Sequence, residues 1–235
     1  MSMGWIVVVP VKGAPAGKSR LGEVMDASGH PIPRSALARA VALDTIAAAA
    51  GAPGVERVLV VTADTEVAVG LESLAPPSHV SASVGLADLA RVEHVAEVEP
   101  RGIDAAIAHA LASIPLNAPR AALLGDLPAL DPHELGDALA RAAAHPRAVV
   151  ADREGTGSTL VTAAPGVPWG SAFGEASFIR HLALGCVLIA LPDESGLRSD
   201  VDTPAQLATL AGRLGPRTAA LLGVRPGELA ARLPG

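Results

Sequence analysis

Trp5-Ile6-Val7-Val8-Val9-Pro10-Val11 is an almost unbroken apolar run. A strand with one face in water alternates polar and apolar residues, whereas one buried on both faces does not, and that second pattern belongs to parallel sheets covered by helices. The pattern returns at Arg57-Val58-Leu59-Val60-Val61-Thr62, which stops at Ala63-Asp64, and again over 120–124, 148–151, 159–162 and 186–191. Helical spacing fills the intervals. An Ala-rich helix is expected from Arg34 to Ala50, ending at Gly51, with a weaker one to about Leu74 and another from Ile103 to Ser113. Asp131-Pro132-His133-Glu134 opens a further helix, with Asp131 as N-cap, Pro132 at the first position and Glu134 at the third. Later helices are expected around Ala176 to Leu184 and from Pro204 and Pro216, and residues 76–100 hold one or two short strands around Val80 and Val95. Alternating strands and helices give an α/β fold, a mostly parallel mixed sheet with helices on both faces.

Composition narrows the class. With 235 residues, no internal repeat and no low-complexity linker, a single domain over 1–235 is expected. Half the residues are hydrophobic and no long uncharged apolar stretch occurs, which excludes disorder and a helical membrane span. A net charge of −6 argues against a nucleic-acid partner. A lone cysteine, Cys186, excludes an internal disulfide and is read as core at the start of a buried strand. The N-terminus runs straight into the first strand without a basic leader, so a cytoplasmic location is expected.

In such sheets ligands bind beyond the carboxyl ends of the strands. After the first strand comes Lys12-Gly13-Ala14-Pro15-Ala16-Gly17-Lys18-Ser19-Arg20, part of a long loop to Pro33. Its glycines let backbone approach an anion, and Lys12, Lys18 and Arg20 can neutralise a polyphosphate. A P-loop would need one more residue between Gly13 and Ser19 and a helix directly after it. Asp126 in Gly125-Asp126-Leu127-Pro128 sits where a carboxylate has no packing role. Asp200-Val201-Asp202-Thr203-Pro204 places two carboxylates on one side of an extended segment. Asp126, Asp200 and Asp202 together suit magnesium, a hard cation held by carboxylates and substrate phosphates. Two further segments are polar. Ala151-Asp152-Arg153-Glu154-Gly155-Thr156-Gly157-Ser158-Thr159 is either a phosphate cradle or a tight connection between strands. Gly174-Glu175-Ala176-Ser177 begins a helix, where exposed N–H groups favour an anion. The constellation describes a nucleotidyl-transfer site. The seven histidines (30, 79, 94, 109, 133, 145 and 181) lack metal-ligand spacing and are read as surface residues.

Gly125-Asp126-Leu127-Pro128-Ala129-Leu130, 151–157, Phe173-Gly174-Glu175-Ala176-Ser177 and Asp200-Val201-Asp202-Thr203-Pro204, in this order, closely resemble the phosphoenolpyruvate or 2-phospho-L-lactate guanylyltransferases of coenzyme F-420 biosynthesis. The resemblance extends from Trp5 to about Leu222. It implies a Rossmann-like, glycosyltransferase-A-like nucleotidyltransferase fold, with GTP as donor and a three-carbon phospho-acid as acceptor. By that likeness Thr159, Gly174 and Ser177 hold the acceptor. Asp126, Asp200 and Asp202 match the acidic magnesium positions, with Asp126 also catalytic. Lys18 and Arg20 match the catalytic basic pair on the donor phosphates, joined by Lys12. The next enzyme of the pathway is a candidate partner.

The family usually carries Asn near the start of the helix at Ile103, where this chain has Asp104. An Asp there accepts from the N1–H and amine of guanine but cannot donate to its O6. Residues 29–33 look like an insertion. Phosphoenolpyruvate is the acceptor the likeness favours over 2-phospho-L-lactate and 3-phosphoglycerate. A P-loop kinase and a non-catalytic nucleotide-binding regulator are the competing readings.

Overall fold

The computed structural model describes residues 3–12, 23–72, 91–97 and 101–224. β1 (Trp5–Val11), β4 (Val55–Thr62), β5 (Arg91–Ala96), β6 (Arg120–Leu123), β7 (Arg147–Ala151), β8 (Ser158–Ala163) and β9 (Val187–Leu188) form one sheet in the order β5-β4-β1-β6-β8-β7-β9. β5, β4, β1 and β6 run parallel, β8 is antiparallel to both β6 and β7, and β7 pairs parallel with β9. The helices are α1 (Arg34–Ala50), α2 (Thr65–Glu72), α3 (Ile103–Leu111), α4 (Pro132–Ala142), α5 (Ser177–Ala183), α6 (Pro204–Thr209) and α7 (Pro216–Leu222).

The continuous apolar runs have the expected cause. In β1, Trp5, Val7 and Val9 enter one core, with Ile46 of α1 and Leu135 and Leu139 of α4. Ile6 and Val8 enter the other, with Ile107 of α3. β4 divides the same way, Val58 and Val60 against Leu59 and Val61. A third cluster joins Leu37 and Val41 of α1 to Leu207, Leu210 and Leu222 near the C-terminal end of the described chain.

Asp44 fastens that third layer. It lies in α1, only 5% exposed, and its carboxylate accepts the Arg217 and Thr218 amides at 3.1 and 2.7 Å, so it caps α7 from another helix. Asp44→Ala leaves those donors without this acceptor. We expect a loss of about 2–3 kcal/mol, read from the denaturant midpoint at unchanged m-value. A loss under about 0.5 kcal/mol would show that the cap carries no weight.

Two local expectations need correction. The loop from Lys12 to Pro33 contains a small hairpin, β2 (Val24–Met25) with β3 (Pro31–Ile32). Asp26 closes it by accepting the Ser28 and His30 amides at 2.8 and 2.9 Å, and Gly29 supplies the left-handed residue (φ 81°). The Ala27 amide bonds to the Leu222 carbonyl, so the apparent insertion at 29–33 belongs to a hairpin docked on α7. The strand expected over 186–191 shrinks to two residues at the sheet edge, with Val187 and Leu188 exposed. The start of α4 is as expected, with Asp131 capping through the His133 amide, Pro132 first and Glu134 third, and Glu134 also accepts from Ser195 and Leu197. The strand expected around Val80 lies outside the described residues.

Candidate active site

From β1 the chain crosses to β4 on one side and returns through α3 to β6 on the other. That reversal opens a crevice at the carboxyl ends of β1 and β6. The cleft there measures about 950 Å³, near the top of the range of about 300–1,000 Å³ for small-molecule sites, so it has room for two substrates. Gly125 is closely packed at its floor. A Cβ there would lie 3.2 Å from the Pro10 carbonyl oxygen and from Val11 Cγ2.

Asp126, Asp200 and Asp202 all line this cleft. The backbone brings them together, because the Val201 amide donates to the Asp126 carbonyl at 3.1 Å. Asp202 and Thr203 are held in turn by the α6 capping box, in which Gln206 Oε1 accepts both their amides. Burial first, then the neighbouring Asp126, Asp152, Asp202 and Glu154, push the Asp200 carboxyl up to about 7. Its Oδ1 is buried with no hydrogen-bond partner among the described residues.

Asp152 and Glu154 were not among the sequence candidates for metal. Their carboxylates and that of Asp200 present oxygens all within 4.8 Å of one another. The donors are all carboxylate oxygens, Asp200 holds one buried oxygen unsatisfied, and the crowded charges are a cost that a divalent cation would relieve. The residues therefore fit a hard cation. The 151–159 segment is the tight connection rather than the phosphate cradle, since Asp152 itself accepts the Thr156 and Gly157 amides at 2.9 and 2.6 Å.

Gly174 and Ser177 line the same cleft. Gly174 has φ 109° and Ala176, at φ 51°, is left-handed, which sharpens the turn before α5. Thr159 is fully buried in β8 and is not part of the cleft wall, although its neighbour Ser158 is. Lys12 lines the cleft beyond β1, in the company of Ser35, Arg39 and Asp64. Arg39 bridges Asp64 at 3.6 Å and also pairs with Glu66. Lys18 and Arg20 lie outside the described residues.

Asp104 does not line the cleft. Its Oδ1 accepts from Ser171 Oγ at 2.7 Å and from the Phe173 amide at 3.2 Å, so it grips the loop leading into Gly174. His181 departs from the expected surface position and is fully buried. The Ala172 amide donates to its Nε2 at 2.8 Å, so that nitrogen is unprotonated, and Nδ1 must carry the proton that faces Ser158 Oγ at 2.9 Å. The Phe173 ring meets the imidazole edge-on, with centroids 4.9 Å apart. A signal existed in the sequence: Ser177 and His181 are four apart, hence on one helix face, and they are the two buried residues of α5.

Burial lowers the His181 pKa to about 4, with Asp104 opposing that shift and Arg180 adding to it. The unfolded chain titrates near 6.5 and so takes up a proton that the folded state refuses. His181 thus adds stability that is complete above pH 6.5 and disappears as pH falls towards 4, on the order of 2–3 kcal/mol in all. Denaturant titrations from pH 7.5 to 4.5 should show this slope in the wild type and a flatter one in His181→Gln. Parallel slopes in the two proteins would show that other groups carry the acid sensitivity.

No protein-family model matches the chain. Individual relatives do. It is 43% identical over 226 residues to a phosphoenolpyruvate guanylyltransferase of Thermomonospora curvata, covering 94% of this chain and 90% of that protein. It is 41% identical over 223 residues to the phosphoenolpyruvate guanylyltransferase of Streptomyces coelicolor, covering 93% and 96%. Among solved structures, the fold is similar to a putative nucleotide-diphospho-sugar transferase from Desulfovibrio desulfuricans G20 (TM-score 0.58, 16% identity, 95% of both chains). It is also similar to a nucleotidyl transferase from Methanothermobacter thermautotroptrophicus (TM-score 0.54, 16% identity, 88% and 95% of the two chains). Identity above 40% across nearly the full length of such relatives leaves one assignment: the chain belongs to the phosphoenolpyruvate guanylyltransferase family.

Proposed function

We propose that this protein transfers GMP from GTP to phosphoenolpyruvate, releasing pyrophosphate and giving enolpyruvoyl-2-diphospho-5'-guanosine, a step of coenzyme F-420 biosynthesis in the cytoplasm. One observation carries the reading: in a member of this family, one cleft at the sheet's switch point is lined both by Asp126, Asp200 and Asp202 and by the Gly174–Ser177 turn. The donor lies at the Lys12 end, with Lys18 and Arg20 of the following loop on its phosphates. The acceptor phosphate lies at Gly174 and Ser177, with Thr159 supporting the floor from β8. A phosphate monoester is largely dianionic at neutral pH, since its second pKa is about 6. Its oxygen therefore attacks the α-phosphorus without a general base. The bond from the α-phosphorus to the bridging oxygen breaks, and that oxygen leaves with pyrophosphate.

Asp126, Asp200 and Asp202, joined by Asp152 and Glu154, would hold magnesium. When bound, magnesium supplies positive charge for the triphosphate and the departing pyrophosphate. Phosphoenolpyruvate, 2-phospho-L-lactate and 3-phosphoglycerate differ by groups worth about 1–3 kcal/mol in a pocket. The test is a parallel assay of the three with GTP and magnesium, read by product mass and pyrophosphate release. Phosphoenolpyruvate should give the highest kcat/KM. Formation of GDP would indicate a kinase, and GTP binding without turnover on any acceptor would indicate a regulator.

A further inference from the structure

A fully buried histidine outside the reacting groups needs a reason, because an apolar side chain would fill the same space without burying two ring nitrogens. His181 uses both nitrogens: one partner, Ser158, lines the cleft, and the other, Ala172, immediately precedes the cleft residues Phe173 and Gly174. Nδ1–H donates to Ser158 Oγ, and Nε2 accepts the Ala172 amide. The rest of α5 repeats the arrangement. Arg180 donates to the Phe173 carbonyl at 2.8 Å, and the Phe178 amide donates to the Thr156 carbonyl at 3.1 Å. Asp104 grips Ser171 and Phe173 from α3. The segment 171–173 is thus clamped between α3 and α5 immediately before Gly174, whose φ of 109° defines the turn.

We propose that His181 is a positioning residue for the phospho-acid: its Nε2 holds the Ala172 amide, and so sets the Gly174 turn in the form that seats the acceptor. Asp104 is the second jaw of that clamp. The inference rests on Gly174 belonging to the acceptor site. His181 touches no substrate, so its removal acts through the loop. Loosening the loop weakens acceptor binding and leaves the GTP end of the cleft, at Lys12 and Arg39, unchanged.

Two variants separate positioning from space filling. In His181→Gln the amide oxygen reaches the place of Nε2 and can accept from Ala172. In His181→Asn the shorter amide reaches only the place of Nδ1, so the Ala172 bond is lost. Both variants lose the ring. The readouts are KM for phosphoenolpyruvate, kcat, equilibrium GTP binding, and amide hydrogen exchange of peptides covering 170–176. For His181→Asn we expect exchange in that segment to rise about tenfold and the acceptor KM to rise about tenfold, with kcat within about threefold and GTP affinity within about twofold. His181→Gln should stay within about threefold of wild type throughout.

Equal effects of Asn and Gln on the acceptor KM, or unchanged exchange in His181→Asn, would overturn the proposal. Should His181→Asn not fold, Asp104→Ala opens the clamp from its half-exposed side and must give the same signature; a loss confined to GTP affinity would overturn it and place Asp104 at the base. Gly174→Val tells the two ideas apart. If it raises the acceptor KM while His181→Asn does not, the acceptor site stands and His181 has no part in it. If neither does, the acceptor site itself is misplaced and this inference falls with it.

Discussion

Asp200→Asn is expected to lower turnover by about three orders of magnitude, several kcal/mol of lost charge stabilisation, in a protein that folds at least as well as the wild type without metal. The two halves of this result have one cause. Asp200 is pushed up to about 7 by burial and by Asp126, Asp152, Asp202 and Glu154 around it. That crowding penalises the metal-free fold, and an isosteric neutral amide removes part of the penalty. The same carboxylate is what makes the cluster attractive to a divalent cation, so the amide removes the activity as well. Asp126→Asn and Asp202→Asn should share the loss of turnover. The measurements are kcat across a magnesium titration and Tm in chelator. Near-normal turnover would remove Asp200 from the metal assignment, and a Tm lowered by more than a few degrees would give it a structural role instead.

How far the sequence reached is visible in particular residues. The β1 and β4 runs were legible because alternate residues enter two different cores, so every position must be apolar. The reversed direction of β8 was not, since the two-residue side-chain period is the same in parallel and antiparallel strands. The apolar run at 186–191 reads as a full strand, yet strand pairing is confined to Val187 and Leu188, with one further bond from the Ile189 amide to Val149, because apolar character does not report the length of backbone pairing. Asp126, Asp200 and Asp202 were legible as carboxylates directly after apolar strands or before a helix. Asp152 and Glu154 were not legible as metal candidates. Their approach to Asp200 is a tertiary fact, and locally they look like turn residues. His181 had no motif around it; only its four-residue spacing from Ser177 hinted at a buried face.

Gly174→Val is the sharpest test of how the cleft is divided between donor and acceptor. Two effects act at this position. The backbone sits at φ 109°, where a β-branched residue is strained, and the new Cβ would lie 3.3 Å from the Arg180 guanidinium that secures the Phe173 carbonyl. The turn must therefore open, and Ser177, whose amide bonds to the Gly174 carbonyl at 3.1 Å, moves with it. The acceptor KM should rise about a hundredfold, matching the roughly 1–3 kcal/mol typical of such strain. Lys12 follows β1, Arg39 lies in α1 and Asp64 follows β4, and none of them contributes to this turn. Equilibrium GTP binding should therefore stay within about twofold, a measurement that ordered substrate binding cannot distort as it distorts Michaelis constants. If GTP and phospho-acid affinity fall together, the Gly174 turn serves the triphosphate, and the acceptor must then be sought nearer the acidic cluster.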